Sequence, residues 1–570
     1  MIHYHMQVNR NYSINFGAMI RIYLQLNKNL WIVTATILFM LFSCAGPSNH
    51  AGKTVFKYNE AAGISSLDPA YAKNLANIWA CNQLYSGLVK LDDQLLVKPA
   101  IAKNWKISDD GITYTFTLRK DVFFHDHLMF EEGKGRRVVA GDFVYSFNRI
   151  IDAETASPGA WVFNYVKMEN GRASFKAPND TSFIIKLSRA FPPFLGILGM
   201  QYCSVVPEEI VKHYGKDFRE NPVGTGPFQY QYWKEGIKLV FIKNKNFYEK
   251  DANGNTLPYL DAVAITFLKD KQSAFLEFIK GNLDFMSGID PNYKDELLTR
   301  EGQLNPKYKE KIYLEREPYL NTEYLGILVD SSMESVASSP LRLKKIRQAV
   351  NYGFSRRDMI RYLRNGIGTP GVYGMIPPGL PSFDSSRSFA YEYNPEQARK
   401  LLIEAGFPNG EELPDITLLT TSEYLDLCKY IQHQLSVLGI DLKIDVNTPG
   451  ALRELKAQSK SNFFRASWIA DYPDAENYLS LFYSENFSPN GPNYTHYANN
   501  TFDEMYIQSQ SIVKDSLRYQ YYREMDSMVM KDAPVVILYY DEVLRFINNR
   551  ISGLGSNPVN LLDLSRVRKE

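Results

Sequence analysis

Asn221-Pro222-Val223-Gly224-Thr225-Gly226-Pro227-Phe228 is the stretch on which the reading of the fold turns. Two glycines and a proline in four residues read as a tight turn with permissive backbone angles, a structural corner rather than a ligand contact. It is not a phosphate loop, because no Gly-Lys-Ser/Thr follows. Upstream, Asp110-Gly111 precedes Ile112, Tyr114, Phe116 and Leu118 alternating with Thr113, Thr115 and Thr117, which predicts a hairpin turn feeding a half-buried strand. Downstream, Ile346, Ala349, Val350 and Phe354 recur at helical spacing. A second helix opens at Asn394-Pro395, with Asn394 as N-cap and Gln397 at N3, and carries Ala398, Leu401, Leu402 and Ala405. Gly406 closes it, and Pro408 prevents resumption. Strands mixed with helices throughout indicate α/β and α+β lobes. At 570 residues the chain exceeds one ordinary core, so two or three lobes are expected. From Lys53 onward there is no Gly/Ser linker, charge block or fixed-period repeat, so strands crossing between lobes must stitch them together.

Lys and Arg total 64 against 63 for Asp and Glu, which leaves no field to hold a polyanion and argues against nucleic acid as a partner. The 14% aromatic content, with 38 Tyr, suggests large surfaces that meet ligands, although most of those rings also fit a packed core. Residues 1–44 read as a separate unit. Arg21 and Lys28 precede an apolar run from Leu30 to Phe42, about 13 residues, too short to span a bilayer and suited to a signal-peptide core. Leu41-Phe42-Ser43-Cys44 resembles the lipobox of bacterial lipoproteins, with Phe42 where a small residue is usual; the resemblance implies lipidation of Cys44 and a tether over 45–52. The tether lacks an acidic cluster of the kind found in surface-export signals, which favours the periplasmic face of the inner membrane. Cys81, Cys203 and Cys428 are an odd number without close spacing, so no disulfide framework or zinc site is expected; one bridge stays open, its pair undecided.

Catalytic constellations are poor. There is no His-Glu-x-x-His and no Gly-x-Ser-x-Gly. Ser511-Ile512-Val513-Lys514 has the form Ser-x-x-Lys in a polar helical stretch but lacks the accompanying motifs. His125-Asp126-His127 offers two imidazoles without a complete metal site and reads as a loop after Phe123-Phe124. No metal, cofactor or enzymatic activity is expected.

Several segments, in order from about Lys53 to Gly553, resemble the dipeptide- and oligopeptide-binding proteins of ABC importers, bacterial solute-binding protein family 5. They are Leu67-Asp68-Pro69, Asn82-Gln83-Leu84-Tyr85-Ser86-Gly87-Leu88-Val89, Pro99-Ala100-Ile101-Ala102 before Trp105, Tyr114 to Arg119, Ala140 to Ser146, the Asn221 to Phe228 turn, Ile346-Arg347-Gln348-Ala349-Val350 with Arg356-Arg357, Ala405-Gly406-Phe407, Leu438-Gly439-Ile440, and Arg465-Ala466-Ser467-Trp468-Ile469-Ala470-Asp471-Tyr472. The resemblance implies an α/β, periplasmic-binding-protein-like two-lobed clamp (type II, cluster C) with an extra α+β domain. Lobe I is expected over 53–91, 204–319 and 541–570, the accessory domain over 92–203 and lobe II over 320–540, with crossings near Pro318 to Tyr324 and Tyr540 to Phe546. It implies a monomeric protein that closes around short peptides and delivers them to an ABC permease and ATPase complex.

A short peptide carries an ammonium that cannot be buried without a counter-charge. Asp471 matches the acidic residue that pairs with it in the family; a turn aspartate before Tyr472-Pro473 is the plain alternative. Arg465 stands where the family places an arginine for the peptide carboxylate, and six residues of extended chain set it roughly 20 Å from Asp471. Asp474 and Glu476 lie close enough to compete. Trp468, Tyr472 and Tyr85 are the candidate aromatic walls, with strand edges pairing the peptide main chain. Related clamps for nickel complexes, haem or sugars, and a sensor lipoprotein uncoupled from import, are the alternatives.

Overall fold

The computed structural model describes residues 52–290, 293–386 and 391–570; the signal-peptide and Cys44 readings lie outside them, as does most of the tether. The chain divides into Met1–Lys53 and Thr54–Glu570, and every element below belongs to the second unit.

Two long strands organise it. Ile312–Ile327 and Val535–Asn548 run antiparallel through the middle of an 11-stranded sheet. On one side the sheet continues through Phe285–Ser287, Val55–Asn59 and Ala262–Thr266, the last two parallel, to the hairpin Lys238–Lys243/Phe228–Lys234. On the other it continues through Phe463–Ile469 to Ile416–Thr421 and Leu442–Asn447, a parallel pair. The two long strands therefore serve both halves: Ile312 to Pro318 pair with Glu542 to Asn548, and Thr322 to Gly326 pair with Val535 to Tyr540. Between Pro318 and Thr322 the register slips, which is where a ladder bends most easily. Arg316 Nη2 holds Glu542 across the pair at 2.5 Å just beside that slip.

Burial follows the pleat. In the C-terminal half Leu325, Ile327, Phe463 and Val536 enter one core with the helix residues Ile346, Val350, Leu402 and Ile431. Tyr324, Ala466, Val535 and Ile537 enter the opposite core with Tyr478, Phe502, Tyr522 and Met525. A sheet buried on both faces needs helices on both, and each fully buried Leu, Ile or Phe contributes about 1.5–3 kcal/mol. The helix predicted after Asn394 spans Pro395–Glu404, with Asn394 accepting from Gln397 N–H at 2.9 Å. The hairpin predicted at Asp110-Gly111 forms too: Thr113–Leu118 is the second strand of the antiparallel sheet Ala102–Ile107, Thr113–Leu118, Ser182–Lys186, Phe175–Asn179. Helix Ala140–Ile151 covers it, with Phe147 5.5 Å from both Phe175 and Phe183.

Three sequence readings need correction in detail. Neither Gly224 nor Gly226 has a positive φ; these glycines serve close approach instead, since a Cβ on Gly226 would lie 2.5 Å from Leu84 C and 2.6 Å from Gln83 O. Gly226 N–H donates to Leu84 O at 2.9 Å, so the turn is bolted to the Asn82–Val89 segment. His125 belongs to the same lock: it accepts from Gly224 N–H at Nδ1, and its Nε2 bonds Gly226 O at 3.0 Å. Burial lowers its pKa to about 4, so the ring stays neutral and is spent on backbone. Ser511 to Lys514 lie between helices Asn500–Ser509 and Asp515–Asp532 and not on one. Cys81, Cys203 and Cys428 are buried free thiols.

Asp526 is a buried carboxyl under the crossing strands, accepting from Met375 N–H at 2.8 Å and Ile376 N–H at 3.4 Å. Burial raises its pKa to about 7. The folded state therefore holds this proton to higher pH than the unfolded chain, and stability falls as pH rises from about 4 to about 7, by an order of ~4 kcal/mol. Asp526→Asn does not titrate, so its melting temperature relative to the parent is expected to climb between pH 5 and pH 8. A pH-independent difference in thermal melts would refute the assignment.

Candidate functional site

The strand Phe463–Ile469 forms because Phe463, Phe464 and Ala466 must be buried, yet only one of its edges is fully used. Its partner on one side is the crossing strand, residue by residue from Asn321 opposite Ile469 to Ile327 opposite Phe463. On the other side the ladder is a single pair, Leu419 with Phe464. From Ala466 to Ile469 that edge carries no strand among the described residues. Ala470 N–H donates to Leu320 O at 2.9 Å, so the even-numbered residues face the crossing strand and the amide groups of Ser467 and Ile469 face the free edge. An exposed edge ending in Ile469, itself 50% accessible, is a template for an extended chain.

Asp471 sits at the end of this edge. Its backbone N–H and the Trp468 indole N–H both donate to Asn477 Oδ1, at 3.2 Å and 2.8 Å, so one amide fixes the turn that presents the carboxylate. The carboxylate is open to solvent but set in a recess: burial raises its pKa, a hydrogen bond from Asn477 opposes the rise, and no cation pairs with it among the described residues. Its charge also acts on Tyr202, which belongs to the N-terminal core; burial first and Asp471 second push that phenol to about 12. The carboxylate thus lies near the opposite half of the molecule.

Tyr472 joins the halves. Its ring is buried in the N-terminal core, 6.1 Å from Trp161 and 6.3 Å from Phe191, and its hydroxyl donates to Glu476. Glu476 takes a second hydroxyl from Tyr506, and Asp474 lies 3.5 Å from Arg518. Both acids are buried and partnered, so neither competes with Asp471.

Arg465 is also spoken for. Its Nη2 meets Glu323 Oε2 at 2.5 Å, and its guanidinium stacks on Tyr424 at 3.6 Å. Glu323, 3% exposed, accepts a further bond from Asn321 Nδ2 at 3.2 Å, and burial pushes its carboxyl up against the pull of Arg465. Two atoms of this cluster are buried without partners, Asn321 Oδ1 and Arg465 Nε. Glu323, Asn477 and Tyr424 were not singled out in the sequence, and no local pattern marks them: Glu323 is one of three glutamates in the crossing strand Ile312–Ile327.

Of the five side chains proposed from sequence, Trp468, Asp471 and Tyr472 gather around Asn477 and Glu476, and Arg465 stands farther down the same strand. Tyr85 is apart from them: it is 4% exposed, under the Gly224 turn, with its hydroxyl on Leu67 O at 3.0 Å. The N-terminal half offers its own recess, about 490 Å³, at the carboxyl ends of Val55–Asn59 and Phe285–Ser287, lined by Asn59, Leu75, Trp79, Phe275 and Ile289. Lys271 on its rim pairs with Asp290 at 2.8 Å and also feels Glu423 of the other half. Clefts outside strand carboxyl ends are the usual ligand position in α/β sheets.

Comparison with known proteins agrees with this architecture. The family model of bacterial extracellular solute-binding proteins, family 5 Middle, matches residues 97–490. The glutathione-binding protein GsiB of Salmonella choleraesuis (strain SC-B67) is 26% identical over 503 residues, covering 87% of this chain and 91% of its own. Among solved structures, HbpA2 from Haemophilus parasuis superposes with a TM-score of 0.78 at 20% identity, covering 90% of this chain and 100% of that one, a likeness of fold. The periplasmic binding protein DppA from Helicobacter pylori, in complex with the peptide STSA, gives a TM-score of 0.67 at 25% identity, covering 90% of this chain and 98% of that one. The fold is thus the two-lobed clamp. Among the described residues no helix is long and apolar enough to cross a membrane.

Proposed function

Because the chain belongs to the bacterial extracellular solute-binding proteins of family 5, we propose that it captures short peptides between its lobes and hands them to an ABC permease and ATPase complex. The observation that carries this reading is the unpaired Asp471 carboxylate at the end of the free edge of Phe463–Ile469. A peptide entering there adds a strand to the edge through its main chain and places its ammonium on Asp471, so the two needs of a buried zwitterion, amide pairing and a counter-charge, are met side by side. Affinity then rests on main-chain groups shared by all peptides. The relatives that bind glutathione or carry the peptide STSA are in keeping with that ligand class.

In this reading the slip between Pro318 and Thr322 is the hinge, lobe I comprises 53–91, 204–319 and 541–570, the accessory domain 92–203 and lobe II 320–540. Binding is the whole chemical act, without catalysis, by a monomer held on the periplasmic face of the inner membrane through lipid on Cys44. Native mass spectrometry of the purified protein tests the ligand class. Mass increments of small peptides, lost on denaturation, are expected; retention of a sugar, a metal complex or haem in their place would overturn the proposal.

A further inference from the structure

Resting on that reading, we propose that the recess of the N-terminal half takes one bulky apolar side chain of the bound peptide, so that the clamp selects peptides carrying such a residue. The recess holds about 490 Å³, within the range of pockets that enclose small ligands. Trp79 and Phe285 line it, both buried, with ring centres 5.8 Å apart. Phe275 and Tyr293 stack in its wall at 4.9 Å. Each flanking helix contributes a small residue to the lining, Ala76 from Leu75–Leu84 and Ala274 from Lys271–Ile279.

Strand direction brings this recess toward the peptide edge. Phe285–Ser287 and Ile312–Ile327 both pair antiparallel with Val535–Asn548, so they run the same way, and Val55–Asn59 runs with them. Ser287 lies opposite Arg545, and Arg545 opposite Glu315, just before Pro318. In the other half Phe463–Ile469 runs the opposite way and ends with Ile469 opposite Asn321. Both sets of carboxyl ends therefore point at the slip between Pro318 and Thr322, from its two sides. The crossing strand from Glu315 to Asn321 is roughly 20 Å if extended and shorter across a bend, a span for a short peptide with one long side chain. The lining decides the class of that side chain. The Trp79 indole N–H is spent on Asn560 O at 2.7 Å, the Asn59 amide on Leu268 at both ends, and Asn74 Oδ1 on the Asn77 N–H. Apolar area is what the recess rewards, since a polar guest trades water for little. Glu60 also lines it, accepting from Ala62 N–H and with no cation paired to it among the described residues, which disfavours an acidic guest.

Tetra-alanine and its four single-phenylalanine analogues are the probes, titrated calorimetrically into the parent and into Ala274→Phe, which fills the recess from its own wall. In the parent the best of the four is expected to bind about 10- to 100-fold tighter than tetra-alanine. Ala274→Phe is expected to bring that preference below about threefold while still binding tetra-alanine, which also establishes that the variant is folded. Ala62→Phe, on the exposed turn at the rim, fills the same space and repeats the test should Ala274→Phe fail to fold. Equal affinity of the parent for all five peptides overturns the inference and leaves peptide binding standing, as does a preference undiminished in the filled variants. A lysine at the preferred position that binds as tightly as phenylalanine overturns the apolar class. Failure of the parent to bind any of the five overturns the function on which the inference rests.

Discussion

Asp471→Ala is expected to lose roughly 30- to 1,000-fold in affinity for a short peptide with a free N-terminus, while the unliganded variant melts at the parent temperature or slightly above it. The two halves of this result have one cause. In the empty protein burial raises the pKa of the Asp471 carboxylate, and among the described residues it has no cationic partner, so folding gains nothing from its charge. Removing it relieves that cost, and Asn477 keeps the backbone N–H of residue 471 and the Trp468 indole in place. In the complex the same carboxylate is the counter-charge of a buried ammonium, and deleting one partner of such a pair costs about 2–5 kcal/mol. A residue of purely structural role shows the reverse pattern, a lower melting temperature with ligand affinity preserved. The sign of the pH effect follows as well: only the ionised form binds an ammonium, so affinity falls as pH drops through the raised pKa, at a higher pH than for an ordinary aspartate. Calorimetric titration and thermal melts of parent and variant read both quantities.

Gly226→Ala is expected to destabilise the fold by about 3 kcal/mol or more. The atoms a Cβ meets, Leu84 C at 2.5 Å, Gln83 O at 2.6 Å and Tyr85 N at 2.7 Å, are all backbone and cannot rotate away. Relief requires the helix end at Leu84 to move, and with it the bonds from Gly226 N–H to Leu84 O and from Ser86 N–H to Thr225 Oγ1. Gly450→Ala is the control, since nothing lies within 4 Å of a Cβ there and its φ is not positive; a change within about ±0.5 kcal/mol is expected. Equal melting temperatures for the two variants would show that the turn does not pin the lobe.

The contrast between these two glycines also shows what the sequence could convey. The fold was legible where periodicity and turn chemistry are local: the strand after Asp110-Gly111, the capped helix after Asn394, and the family segments in order. The importance of Gly224 and Gly226 was legible, but its reason was not, because close approach depends on Leu84 and Tyr85, which are about 140 residues away in sequence. At the site, Asp471, Trp468 and Tyr472 were readable as one motif. Tyr85 was readable only as an aromatic residue, and tertiary packing spends its hydroxyl on Leu67 O. Arg465 was readable as a cation, but the pairing with Glu323 arises between two strands separated by 142 residues, and no local pattern announces it.

The measurement that bears most directly on the whole account is a calorimetric comparison of one tetrapeptide with its N-acetylated form. The clamp described here binds the free amine and rejects the acetylated peptide by at least about 30-fold, because acetylation removes the charge that Asp471 requires and leaves every amide of the added strand intact. Equal affinity for the two peptides would contradict it.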